Sequence, residues 1–132
     1  MLEILGISMK SGNYYRVMVK ATEEMNQAWL NKLNEDEDEK YSFEEAIQCS
    51  MYNSNDKGYL VIEIEIDIKR NTYDVVYYFD NYEDLDVALT DEEFYQCVDF
   101  INKWKDRLPD NEYFAVGDCE WYDLIPDDIP WK

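Results

Sequence analysis

The chain has 132 residues, with 31 acidic and 12 basic side chains, no histidine and a net charge of −19. This length fits one domain, and a content of 46% hydrophobic and 16% aromatic residues excludes a disordered acidic chain. The negative charge repels nucleic acids and anionic lipid head groups, so direct binding to DNA, RNA or a membrane is disfavoured. A basic protein surface is the partner that this charge favours.

Three widely spaced cysteines, Cys49, Cys97 and Cys119, form no C-x-x-C motif, and no histidine is present to complete a zinc site. We therefore expect reduced thiols in a reducing compartment. The N-terminus lacks the features of a signal peptide, and no window reaches the ~18 apolar residues of a membrane span. A soluble, cytoplasmic protein is expected, and self-repulsion favours a monomer.

The N-terminal part predicts a β-hairpin followed by two helices. Residues 1–8 and 13–20 are the predicted strands, joined by a turn-like Lys-Ser-Gly-Asn cluster. Thr22 is the predicted N-cap of the first helix, with acidic residues in the first turn that follows. Ser42 and Glu45 have the spacing of a capping box and predict the start of the second helix.

The clearest pattern predicts an antiparallel hairpin in the middle of the chain. Within residues 60–69, isoleucines at 62, 64, 66 and 68 alternate with charged residues at 63, 65, 67 and 69, which predicts a strand with one apolar face. Residues 73–80 are its predicted partner after a two-residue turn at Arg70-Asn71. In this register apolar residues face each other, as Ile68 with Tyr73, Ile66 with Val75, Ile64 with Tyr77 and Ile62 with Phe79. A slip of one residue would bury carboxylates.

The longest helix is predicted over about residues 91–106. Thr90 and Glu93 form a capping box at its start, and acidic residues in its first turn and basic residues in its last complement the macrodipole. Pro109 ends it. Cys97 falls on its apolar stripe and is predicted to be a core residue without a catalytic role.

A short final strand is predicted at residues 112–116, and residues 121–132 form an aromatic and acidic tail. That tail either closes the core or presents Trp131 as an anchor for a partner. The order β-β-α-α-β-β-α-β over residues 1–132 predicts a single α+β domain. We expect an antiparallel sheet built from hairpins, with three helices packed mainly on one face.

Motifs for catalysis and metal binding are missing from the sequence. Without histidine there is no usual triad, and no Walker loop, G-x-G-x-x-G or G-x-S-x-G occurs. Residues 53–58 resemble the start of an EF-hand loop, but Lys57 stands at position five and Ile64 at position twelve, where a glutamate is required. We therefore predict no cofactor, no metal site and no enzymatic activity.

The candidate binding surface is acidic, since no Lys or Arg occurs between Asn71 and Asn102. On the predicted strand 60–69, the charged face repeats every ~6.6 Å and is a plausible substitute for a phosphate backbone. The residues predicted to share it are Glu63, Glu65, Asp67, Asp74 and Tyr78. A second acidic surface is predicted on the long helix, from Asp91, Glu92, Tyr95 and Asp99. The alternative interpretation is that both are ordinary solvated faces.

Three functional hypotheses follow. The first is an inhibitor that blocks a basic nucleic-acid-binding protein as a nucleic-acid mimic, and in this the chain resembles phage anti-restriction and anti-CRISPR proteins as a functional type, without any family motif. The second is an immunity protein or antitoxin that neutralises a cognate toxin. The third is a small enzyme or small-molecule-binding protein, which would need a pocket lined by aromatic residues.

Overall fold

The fold is given by a computed structural model, which describes residues 1–35, 38–48, 59–78, 82–108 and 112–113. The strands are β1 (Ile4–Ser11), β2 (Tyr14–Lys20), β3 (Val61–Asp67), β4 (Thr72–Tyr78), β5 (Tyr82–Asp84) and β6 (Glu112–Tyr113). The helices are α1 (Glu23–Leu33), α2 (Phe43–Gln48) and α3 (Asp91–Trp104), the last followed by a 3-10 turn at Lys105–Arg107.

The described strands form one antiparallel sheet in the order β5-β4-β3-β2-β1-β6, so β2 and β3 are its central strands. Every pairing in it is antiparallel, and the β1–β2 and β3–β4 hairpins are joined through the β2–β3 pair. The predicted fold class is confirmed: a single α+β domain whose sheet is built from hairpins and accompanied by three helices in the described ranges. The short strand β5 was not predicted from the sequence.

Each described helix begins at the residue that the sequence predicts. The Thr22 hydroxyl accepts a hydrogen bond from the Met25 backbone N–H at 3.3 Å. The capping boxes of α2 and α3 are both present, and in α3 the Thr90 and Glu93 side chains each accept from the other residue's backbone N–H. These contacts satisfy donors that a helix leaves unpaired at its first turn. Helix starts are therefore encoded locally in this chain.

The isoleucine face of β3, which carries Ile62, Ile64 and Ile66, is the centre of the hydrophobic core. All three isoleucines are completely buried. Helix α3 lies on this side, because its Phe94 ring packs 5.4 Å from the ring of Tyr73, which pairs with Ile66 on the neighbouring strand. Cys97 is buried in the same core, which confirms the predicted core position of its side chain.

The predicted register of the β3–β4 hairpin is wrong by two residues. Ile64 lies opposite Val75 and Ile66 opposite Tyr73, so the turn spans residues 68–71 and not only 70–71. Because a shift of two preserves the side-chain alternation, the isoleucines still meet apolar residues on the same face. Phe79, the predicted partner of Ile62, lies outside the described residues.

The longer turn has a specific cause in the carboxylate of Asp67. Its Oδ1 accepts hydrogen bonds from the backbone N–H groups of Lys69 (2.9 Å) and Arg70 (3.2 Å), which bends the chain directly after β3. Asn71 then adopts a left-handed conformation with φ of 56°, which asparagine tolerates better than most residues. Asp67 is therefore a turn residue with a structural role.

Several predicted features lie outside the described residues. They are the EF-hand-like segment 53–58, Cys49, Cys119, residues 114–116 of the predicted last strand and the tail 121–132. Residues 112 and 113 form β6, which pairs with β1 through Met9 and Lys10.

Candidate functional site

The opposite side of β3, which carries Glu63, Glu65 and Asp67, is called here the carboxylate face. It was predicted to be exposed, and this is wrong for two of its three acids: Glu63 is 0% and Asp67 only 6% exposed. The cause is the position of β3 in the middle of the sheet, where Glu63 lies between Met18 on β2 and Val76 on β4. Both neighbours are buried as well.

Glu63 is held by polar partners inside this face. The Ser8 hydroxyl donates a hydrogen bond to its Oε1 at 2.9 Å. The guanidinium of Arg16 lies 4.0 Å from Glu63 Oε2 through Nε, and 3.6 Å from Glu65 Oε1 through Nη2. A buried charge requires such partners, because leaving water is costly for an ion. Glu63 therefore has a structural role within the sheet, and its carboxylate is not accessible to a partner protein.

Glu65 marks the boundary between the buried and the exposed part of the carboxylate face. Its side chain is 30% exposed. On the neighbouring strand β4, the residue opposite Glu65 is Asp74, which is exposed. The predicted register, in which Ile68 faces Tyr73, would place Asp74 opposite Asp67; the two-residue shift moves Asp74 to Glu65. Like charges directly opposite each other destabilise a sheet, and the cation Arg16 on the other side of Glu65 offsets part of that repulsion.

A set of exposed carboxylates lies on β4, on and after β5, and on α3. We call this set the acidic edge; its members are Asp74, Glu83, Asp84, Asp86, Asp91, Glu92 and Asp99, all exposed. Val76 pairs with Asp84, which places Asp84 diagonally beside Asp74 on one side of the sheet. The helical members lie on the other side, since α3 packs on the isoleucine face.

Helix α3 presents its predicted acidic surface to solvent. Asp91, Glu92, Tyr95 and Asp99 are all exposed, and Tyr95 is the most exposed of the aromatic side chains whose burial the structure describes, at 60%. Its ring meets Phe94 edge-on at 5.6 Å, so the phenol is supported by the core while its outer part stays accessible. The loop before the helix is tied to the sheet by a hydrogen bond from the Leu89 N–H to the Tyr73 hydroxyl.

The acidic edge is not neutralised by the described part of the chain. The ion pairs among the described residues join Arg16 to Glu63 and Glu65, Lys20 to Glu3, and Arg70 to Asp67. None of them includes a member of the acidic edge. This agrees with the sequence, which has no Lys or Arg between Asn71 and Asn102.

The predicted site residue Tyr78 ends β4 and pairs with Tyr82 through the backbone; its side chain lies outside what the structure describes.

Neither a metal site nor a reactive thiol is found among the described residues. No group of acidic or cysteine side chains in the described ranges has the arrangement of a metal site. Burial, reinforced by the Glu93 carboxylate, raises the pKa of the Cys97 thiol to about 12, which keeps it protonated and unreactive. No described helix is long and apolar enough to span a membrane.

A shallow depression lies between the β1–β2 and β3–β4 turns. Its lining residues are Ser11, Gly12, Asn13, Tyr14, Asp67, Lys69 and Arg70. Tyr14 is its single aromatic residue, so it does not have the aromatic lining that the small-molecule hypothesis predicts. Comparison with known proteins adds no assignment, because no protein-family model, no curated protein and no solved structure matches the chain.

Proposed function

We propose that the protein binds a basic, nucleic-acid-binding protein through the acidic edge and blocks its nucleic-acid site. The observation that carries the proposal is the set of seven exposed carboxylates that take part in none of the ion pairs among the described residues. Proteins that grip nucleic acid do so with rows of lysine and arginine. A carboxylate surface without its own counter-ions attracts such a groove at long range and speeds association.

The residues of the proposed contact surface are not the same as those predicted from the sequence. Asp74, Asp91, Glu92, Tyr95 and Asp99 stay in it because they are exposed. Glu63 and Asp67 are excluded from it because both are buried. Glu63 contacts Ser8 and Arg16 within the sheet, and Asp67 stabilises the turn after β3. Tyr95 adds an aromatic contact, and tyrosine is enriched among the residues that contribute most to binding free energy.

The test compares two variants that remove equal charge from different places. The edge variant carries Asp74→Asn, Asp91→Asn, Glu92→Gln and Asp99→Asn. The control variant carries Glu24→Gln, Asp38→Asn, Glu39→Gln and Glu44→Gln, which are exposed acids outside the acidic edge. Each protein is immobilised and offered a cell lysate at low salt, because charge-driven association weakens as salt screens it.

The expected result is a basic protein retained by the wild type and by the control variant, lost from the edge variant, and released by excess DNA or RNA. Equal retention by the two variants would show that the acidic edge is not the contact surface. A protein held by the acidic edge but not displaced by nucleic acid would overturn the nucleic-acid mimicry.

A further inference from the structure

The outer edge of β5 is open in the described structure, and its backbone groups have a defined orientation. The Leu85 N–H donates to the Val75 carbonyl at 2.9 Å, so residues 75 and 85 form a hydrogen-bonded pair. In an antiparallel ladder such pairs alternate with pairs whose N–H and C=O groups point away from each other. Val76 and Asp84 are one of the latter. The N–H and C=O of Asp84 therefore point outward from the sheet.

The side chains beside this open edge are acidic. Asp84 and Asp86 are exposed, and the Tyr77 hydroxyl donates to Glu83 Oε2 at 2.8 Å, which fixes the Glu83 carboxylate beside the edge. An open strand edge is a template for pairing with another chain. Two copies of this edge would bring like charges together, so the carboxylates oppose self-pairing and favour a positively charged strand.

We propose that β5 accepts an extended, arginine- or lysine-rich segment of a partner protein as an added β-strand. The inference rests on the proposed function for the basic character of the partner, and it adds the binding geometry: backbone hydrogen bonds to the outward N–H and C=O of Asp84, with cationic side chains beside Glu83, Asp84 and Asp86. In strand addition the main chain supplies affinity and the alternating side chains supply specificity.

The first test uses synthetic peptides of equal charge. The probe is a short peptide of alternating arginine and valine, a composition that favours an extended strand. Two matched peptides carry N-methyl groups on one or the other alternate set of residues, which removes one row of donors and keeps the charge. The unmodified peptide is expected to bind, and at least one methylated peptide to bind about tenfold more weakly, as the loss of one or two hydrogen bonds implies.

The second test removes the donor from the protein. Asp84→Pro eliminates the outward N–H while leaving the β4–β5 ladder intact, as proline is tolerated where an edge N–H faces solvent. Asp84→Ala loses the same charge but keeps the N–H, and is the matched control. Peptide affinity is expected to fall several-fold more in the proline variant than in the alanine variant, with circular dichroism confirming that both are folded.

The outcomes separate this inference from the proposed function. Equal binding of all three peptides overturns strand addition and leaves electrostatic attraction to the acidic edge intact; so does equal binding by the two Asp84 variants. No binding of any peptide to the wild type also overturns strand addition. The proposed function is overturned instead by equal partner retention in the edge and control variants described above, or by a retained partner that nucleic acid does not displace. If Asp84→Pro does not fold, the methylated peptides decide the question.

Discussion

Carboxylates in two regions of this protein have opposite roles although they belong to the same sheet. In the centre, Glu63 is completely buried and held by Ser8 and Arg16. At the outer side, Asp74 and Asp84 are exposed and take part in none of the ion pairs of the described residues. The strand order of the sheet, and not the local alternation of residues, therefore decides which of these acids are exposed.

Removing the buried carboxylate of Glu63 should lower the stability of the protein more than any other change considered below. Glu63→Ala removes the partner of the Ser8 hydroxyl and leaves the largely buried guanidinium of Arg16 without one of its two carboxylates. We expect the free energy of unfolding to fall by about 3 kcal/mol, as for other broken buried ion pairs. Urea denaturation measures this. The double variant Glu63→Ala/Arg16→Met is expected to lose less than the sum of the single losses, because the two sites interact; full additivity would contradict the coupling.

An intermediate effect is expected from a buried ionisable group under alkaline conditions. The pKa of Cys97 is about 12 in the folded protein against an ordinary value of 9.0. The contribution of the protonated thiol to stability is therefore fully present below pH 9 and is lost as the pH rises towards 12, since the unfolded thiol ionises first. Near pH 10.5 the loss is about 2 kcal/mol. Cys97→Ala, compared with the wild type by urea titration at each pH, should show a smaller decline; an identical decline would exclude this linkage.

The smallest expected effect is at the acidic edge. Asp74→Asn combined with Asp84→Asn removes two like-charged neighbours from a solvated surface. The free energy of unfolding should change by no more than about 0.5 kcal/mol, with any change stabilising because self-repulsion falls. The same urea titration measures it, at low and at high salt. A large loss of stability would show that these carboxylates have structural partners, as Glu63 does, and would remove the contrast between the two regions.

Local features of the fold were predictable from the sequence because they depend on neighbours in the chain. The capping residues Thr22, Ser42 and Thr90 identify the helix starts, since the hydrogen bonds that they make span three residues. The alternation of β3 identified its two faces. The β3–β4 register was off by two residues because the side chain of Asp67 closes a longer turn, and an even shift leaves the hydrophobic pattern unchanged.

Burial of the carboxylate face was missed because it depends on strands that are distant in sequence. A signal was present in the neighbours: Val17-Met18-Val19 and Val75-Val76 are continuous apolar runs, and such runs indicate strands buried on both faces. Strand β5 was missed because three residues are too few to establish a period. The exposure of Asp91, Glu92, Tyr95 and Asp99 was predictable, since they recur on one side of a helix that its caps identify.

The four-residue turn after β3 also has a consequence for how this chain tolerates changes in length. A shift of two residues in the pairing of β3 with β4 would keep the isoleucines of β3 opposite apolar side chains of β4. A shift of one residue in this pairing would instead turn either β3 or β4 over and exchange its apolar side for its acidic side. An insertion or deletion in this turn is therefore tolerated when the turn absorbs it, or when the pairing moves by an even number of residues.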